Sequence, residues 1–377
     1  MSAPFLHEGE AADARTSTVS TVSQGYPALV WRRFRRSIPG MLGLIIVSAL
    51  LFTALFAPFM APMDPNQPTE SFAPPDQISF FTKDGFTLWP VAYRIEQSAT
   101  EFDPITFQPL MAPDMDNPRP LRLFVEGWSY RLWGLIPMDT HLIGLADGET
   151  LHLLGTDKLG RDILSRGIIG SRISLIIALT SITLSTIVGT LLGITSGYIG
   201  GRFDLWFQRF VEIILAFPQL PLYLAMTTLI PVTAPSYLFI SFVILVIAGL
   251  GWAQLSREVR GKTMAMARVD YVRAATAIGA SDGRIITRHI LPNVMSHVIV
   301  AVTLGIPSII LLEGFLGFLG VAVKPPLISW GLLLQDAGTF SVIGSYPWIL
   351  SPVGFFCWLS SPSTRWVTAC ATPLTPC

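Results

Sequence analysis

Between Arg257 and Asn293 the chain carries a polar stretch that cannot share surroundings with the sequence on either side. It reads REVRGKTMAMARVDYVRAATAIGASDGRIITRHILPN and holds seven of the 25 Lys and Arg. Residues 237–252 before it and 299–320 after it are almost wholly apolar. Apolar runs of that kind belong in a bilayer, and the polar island between them must then turn the chain in water on one face of the membrane.

Composition agrees. Only 13% of the 377 residues are charged, with a mean hydropathy of +0.55, against about 25% charged in soluble domains. The net charge of zero gives no reason to expect a nucleic-acid partner. The three cysteines (Cys357, Cys370 and Cys377) crowd the last 21 residues without ligand spacing or a neighbouring His, so neither a disulfide framework nor a metal site is expected. The five histidines are scattered and read as surface or packing residues.

The polar island has an inner pattern of helix, turn, helix. Residues 264–278 are largely good helix formers, with Val272, Ala275 and Ile278 near helical spacing. Gly279-Ala280-Ser281 breaks the run, and Ser281 is placed to cap a new helix from Asp282. Ala274, Ala275 and Gly279 form a small face that lets another backbone approach. Small faces and arginines are common, so composition alone leaves the island equally well a solvated, positive hairpin.

Taken in order, residues 1–40 form a polar N-terminal tail ending near four arginines (Arg32, Arg33, Arg35 and Arg36). Those arginines place it in the cytoplasm, so the first span, 41–61, runs outward. A long external loop covers 62–172; its aromatic stretches 86–90 and 128–133 suggest short strands or interfacial contacts. Near its end, Asp157, Arg161, Asp162 and Arg166 are expected to pair along a short interfacial helix. Residues 173–354 hold the remaining membrane core, including the island at 257–293. Gly189 and Gly193, four apart, are spaced for close helix packing. Pro218 and Pro221 break the third span. Counting spans returns the positive island to the cytoplasm, as its charges require. Glu313 is ionisable within the fifth span, which makes it a candidate for the translocation path.

Specific motifs now bear on the family. Asp270-Tyr271-Val272-Arg273-Ala274-Ala275, Gly279-Ala280-Ser281 and His289-Ile290-Leu291-Pro292-Asn293 resemble the EAA loop of ABC-importer permeases, in particular the second-permease type of the dipeptide/oligopeptide/nickel branch. The Glu that names that motif is Arg273 here. LGTDKLGRDILSR at 154–166, GYIGGRFD at 197–204, FLGFLG at 315–320 and PPLISWG at 325–331 resemble further segments of the branch, in its order. The resemblance implies an all-α membrane protein, a polytopic helical bundle of about six transmembrane helices with a long external loop, in the bacterial inner membrane. It also implies ATPase coupling through Asp270, Tyr271, Arg273, Ala274, Ala275, Gly279, Ala280, Ser281, Leu291 and Pro292. The implied partners are two ATPase subunits (or one used twice), a second homologous permease, an external substrate-binding protein and the lipid bilayer. No G-x-x-x-x-G-K-[ST] occurs in the chain, so ATP would act through partner subunits and no cofactor is expected on this one.

Residues 355–377 depart from the branch. A sixth span should start near Pro347, yet SSPSTRWVTACATPLTPC cannot continue a membrane helix. Read one base out of frame, 366–376 permits Leu-Gly-Asp-Gly-Leu-Arg-Asp-Ala-Ala-Asp-Pro, which resembles the branch's usual tail. The expectation is a single-nucleotide frameshift near Gly354 and an incomplete last helix. Import of small peptides is the leading functional expectation, with nickel or another small solute on the same machinery beside it. An ion-gradient-driven transporter would want paired buried acids and inverted repeats; Glu313 stands nearly alone. A membrane-anchored enzyme would want a catalytic constellation in the external loop, which offers none.

Overall fold

The computed structural model describes residues 38–357, except 84, 103–108, 147–148, 228, 232–233, 321–322, 324 and 339. The arginine cluster of the N-terminal tail and residues 358–377, which hold most of the anomalous tail, lie outside the described residues.

Long uninterrupted apolar sequence becomes long helix. α1 (Ile38–Leu55) is 18 residues without a charge; it stops before Pro58, and a single turn, α2 (Ala57–Met60), follows. α3 (Ile163–Ile199) starts where the Asp162 carboxylate accepts a hydrogen bond from the Ser165 amide at 2.7 Å, satisfying an amide that the first turn leaves free. It ends at Gly200 and Gly201, both left-handed with φ of 64° and 62°. α4 (Gly201–Ala216) and α5 (Gln219–Thr227) meet at 81° across Pro218. α6 (Ser236–Ala267) runs back, and α9 (Leu291–Phe318) returns after the polar island. Ile163–Ile199, Ser236–Ala267 and His297–Phe318 are each long and apolar enough to cross a membrane, and the bent α4–α5 pair passes that test jointly. Beyond α10 (Trp330–Gln335) and α11 (Phe340–Ser345), the apolar helix Pro347–Cys357 is shorter than a span. Its Phe356 is nonetheless buried in the core, and both Phe355 and Phe356 pack their rings against Trp330.

The glycine spacing on α3 does what it promised. A Cβ placed on Gly189 or Gly193 would come within 2.9 Å of the Trp252 carbonyl oxygen or 2.6 Å of that of Ser256, both on α6. Gly197 continues the stripe, 2.7 Å from the Arg260 carbonyl oxygen by the same construction. Backbone thus lies against backbone over two further turns, the packing that small residues permit without a hydrophobic drive between helices. Ile177, Val243, Ile247, Ile310, Leu316 and Trp330 fill the core around this pair.

The membrane part is helical, but the long loop is not. Its described residues form seven strands in three small antiparallel sheets: β1 (Gln77–Thr82), β2 (Gly85–Tyr93) and β5 (Arg119–Pro120); β3 (Ile95–Phe102) with β4 (Pro109–Pro113); and β6 (Arg122–Leu132) with β7 (Ile136–Gly144). The aromatic stretches at 86–90 and 128–133 fall mainly in β2 and β6. Polar ties seat these sheets on the start of α3. Asp76 accepts from Arg119 Nη2 at 2.7 Å and from the His152 amide at 2.8 Å. His152 in turn bridges Asp162 and Thr69, each at 3.2 Å. The four charges at 157–166 are organised by a turn and not, as expected, along a helix. Asp157 pairs with Arg161 at 2.7 Å and has Arg166 at 3.6 Å, while Asp162 serves as the α3 cap.

Candidate functional site

At the end of the bundle opposite the sheets, α6 gives way to α7 (Asp270–Ala277), a turn, and α8 (Asp282–Ile285). The turn has the two hydrogen bonds that close a helix onto a left-handed residue: the Gly279 amide donates to the Thr276 carbonyl at 3.0 Å, and the Ala280 amide to that of Ala275 at 3.1 Å. Gly279 has φ of 86°, a conformation that costs a side-chain-bearing residue roughly 1–2 kcal/mol. The expected helix, turn, helix is present, but 264–278 is not one helix: α6 runs to Ala267, Arg268 and Val269 turn the chain, and α7 starts at Asp270. Ser281 occupies the cap position of α8, although its hydroxyl makes no capping bond. The second helix runs on through one π turn (Ile286–Ile290) into α9, which Leu291 and Pro292 open.

This knuckle is anchored from within and open without. Val272, Ile285 and Ile290 are buried with Ile194 of α3, Leu255 and Val259 of α6, and Val294 and Val298 of α9. Tyr198, near the end of α3, donates its hydroxyl to Asp282 at 2.8 Å. Asn293 holds the two limbs together, donating to the Tyr271 hydroxyl at 3.1 Å and the His289 carbonyl at 2.7 Å. On the outer face Asp270, Tyr271, Arg273, Ala274, Gly279, Ser281 and Pro292 are exposed, with Ala275, Ala280 and Leu291 half-buried at the edge. Ile278, at 87% exposure, stands out of the knuckle with no cover. The open face is thus apolar and built of small residues, and Arg268, Arg273 and Arg284 are exposed as well.

Glu313 is elsewhere. It is enclosed where α9, α3 and α10 cross, and Ser174 donates its hydroxyl to one carboxylate oxygen at 2.9 Å. The Ser174 oxygen also accepts from the Trp330 amide at 3.0 Å. None of the knuckle residues touches this crossing.

Comparison with known proteins bears on both regions. The family described as "Binding-protein-dependent transport system inner membrane component" matches residues 189–364, which include the knuckle, and the "N-terminal TM domain of oligopeptide transport permease C" matches 26–75, which include α1. An oligopeptide transport system permease protein OppC of Mycobacterium bovis is 37% identical over 234 residues, 61% of this chain and 77% of the relative. A putative peptide permease protein of Brucella suis is 35% identical over 223 residues, 58% of this chain and 72% of the relative. The chain belongs to the family of binding-protein-dependent transport system inner membrane components. OppC of Haemophilus influenzae is 38% identical over 208 residues, 55% of this chain; there the chain spans just under two thirds of the relative's length, 64%.

As a member of that family the chain is a helical membrane protein, with three helices, or four counting the bent pair, long and apolar enough to cross a bilayer among the described residues. Sequence reasoning placed the knuckle but missed a polar tie among three helices of the bundle behind it. Asp204 on α4 forms a two-pronged ion pair with Arg260 on α6 and accepts a hydrogen bond from Ser196 on α3 at 2.5 Å. Its one advance signal was an acid in the GYIGGRFD segment, inside an amphipathic helix.

Proposed function

We propose that this chain is the permease subunit of an ATP-driven importer of small peptides. In this reading the Asp270–Ser281 knuckle, with Leu291 and Pro292 behind it, seats in a groove of a separate ATPase subunit. The observation that carries the reading is the contrast between the two faces of the knuckle: a buried, hydrogen-bonded base against open small residues and a bare Ile278. Closure of the ATPases would push on α7, and the rigid base would pass the displacement to α3, α6 and α9, rocking them between inward and outward access. The N-terminus and the knuckle then lie in the cytoplasm and the three sheets outside, in the inner membrane of a bacterium. Two ATPase copies, a second permease and an external binding protein complete the assembly, and the chain itself binds no cofactor. The relatives named for oligopeptide and dipeptide transport favour peptides as cargo. Glu313 enters the translocation path only if the crossing around it opens during the cycle. The frameshift near Gly354 belongs to the same proposal: reading the gene in the shifted frame should recover an apolar helix and an acidic tail, and a stop or a polar run there ends that idea.

A cysteine at Ala274, in a chain otherwise free of cysteine, tests the coupling. With the purified ATPase present it should cross-link to that subunit in a nucleotide-dependent way. Labelling of the same cysteine from the external medium in intact cells would reverse the topology and overturn the assignment.

A further inference from the structure

The β6–β7 hairpin presents seven consecutive uncharged residues at its turn, LWGLIPM from Leu132 to Met138. Leu135 is 81% exposed, and Trp133 and Ile136 are exposed beside it. Trp133 adopts φ of 54° and Gly134 of 76°. A bulky aromatic in the left-handed region is strained, and such strain persists where the surroundings hold it for a purpose.

What holds Trp133 is the end of a membrane helix. Its indole N–H donates at 3.1 Å to the carbonyl of Leu55, the last residue of α1. Its ring packs on Phe56 at 5.6 Å between centroids, and Phe56 packs on Phe52 at 4.7 Å. Phe124 of β6, also exposed, lies against Phe59 just beyond. Eighteen helical residues span about 27 Å, close to the roughly 30 Å hydrocarbon thickness. Leu55 therefore sits at the edge of the hydrocarbon layer, and whatever bonds to its carbonyl sits at that depth. Trp at that level, apolar ring inward and N–H bonded, is the composition of an interfacial anchor. The tip of β1–β2 also exposes Phe81 and Phe86 but carries Lys83 paired with Asp116, and its described residues make no such contact with a helix end.

We propose that the β6–β7 turn, from Trp133 to Ile136, lies in the headgroup layer and anchors the sheets to the membrane surface beside α1. The proposal rests on α1 crossing the bilayer, which the match to an N-terminal transmembrane domain carries, and not on the cargo or the ATPase. It is tested on the full-length chain in phosphatidylcholine vesicles, with Cys357, Cys370 and Cys377 changed to serine. A fluorophore is attached at Leu135→Cys or, as the water-exposed reference, at Asp116→Cys. A nitroxide on the acyl chain near its carboxyl end should quench the Leu135→Cys label several-fold more than the reference, and aqueous iodide several-fold less. Equal quenching by iodide at both positions would overturn the anchor. So would a Leu135→Cys label reached by neither quencher, because protein and not lipid would then cover the turn.

Discussion

Arg260, two turns before the end of α6, forks onto both carboxylate oxygens of Asp204 at the start of α4. With Ser196 bonded to the same carboxylate, one acid joins three helices where the bundle meets the knuckle. The Asp204 side chain is 10% exposed and the Arg260 side chain 27%, so removing the acid strands a guanidinium with little water to replace it. Asp204→Ala should cost about 2–3 kcal/mol. Arg209→Ala breaks a pair whose side chains are 68% and 53% exposed, and should cost about 0.5 kcal/mol or less. Thermal unfolding of the two variants in detergent measures the difference, and equal loss would contradict the structural role of Asp204.

The glycine stripe makes an equally direct prediction. Gly193→Ala forces a methyl to 2.6 Å from the Ser256 carbonyl oxygen and 2.9 Å from the Val259 side chain, so α3 and α6 must separate. Overpacking of that kind costs roughly 1–3 kcal/mol. Gly261→Ala lies on α6 with nothing within 4 Å of its new methyl, and should stabilise by up to about 1 kcal/mol through helix propensity. Opposite signs in one pair of unfolding measurements are the expected outcome.

These two cases mark what a sequence discloses here. Gly189 and Gly193 were legible because their spacing alone puts them on one helix face. Gly197 is harder to read because it opens the GYIGGRFD segment, whose paired glycines signal a turn, whereas α3 runs on to Ile199. Asp204 and Arg260 stand 56 residues apart, Ser174 and Glu313 139 apart; no local rule pairs residues at such separations. The β sheets were only partly legible for a different reason. β1 is half-buried at just two of its positions, so the alternation that marks a strand is faint. The knuckle was readable in detail, because the glycine that closes α7 acts through its own backbone.

Gly279 separates strain from function. Its φ of 86° penalises any side chain, yet a Cβ there meets nothing within 4 Å. Gly279→Asn should be tolerated, since Asn enters the left-handed region more readily than other side-chain-bearing residues. Gly279→Trp should leave the protein in the membrane but abolish ATP-dependent peptide uptake by blocking the face proposed for the ATPase. Full uptake by Gly279→Trp would remove the knuckle from the coupling pathway.

The crossing at Ser174 tests whether Glu313 is a tie or a path residue. The Ser174 hydroxyl gives its proton to Glu313 and accepts the Trp330 amide proton, so Ser174→Ala strands the buried Trp330 amide and takes one donor from Glu313, which keeps Ser329 and the Gly331 amide beside it. At about 1–3 kcal/mol for a buried group left unpaired, a loss of roughly 1–3 kcal/mol is expected. Glu313→Gln keeps an oxygen to receive the serine proton and nearly the same shape beside Gly331, so it should cost less. The double variant should then lose less than the sum of the single ones, with a coupling of about 0.5–3 kcal/mol for residues in contact. Uptake measured on the same variants distinguishes the roles. A tie predicts that transport falls only as stability falls; a path residue predicts that Glu313→Gln impairs uptake at wild-type stability, while Ser174→Ala follows its unfolding curve.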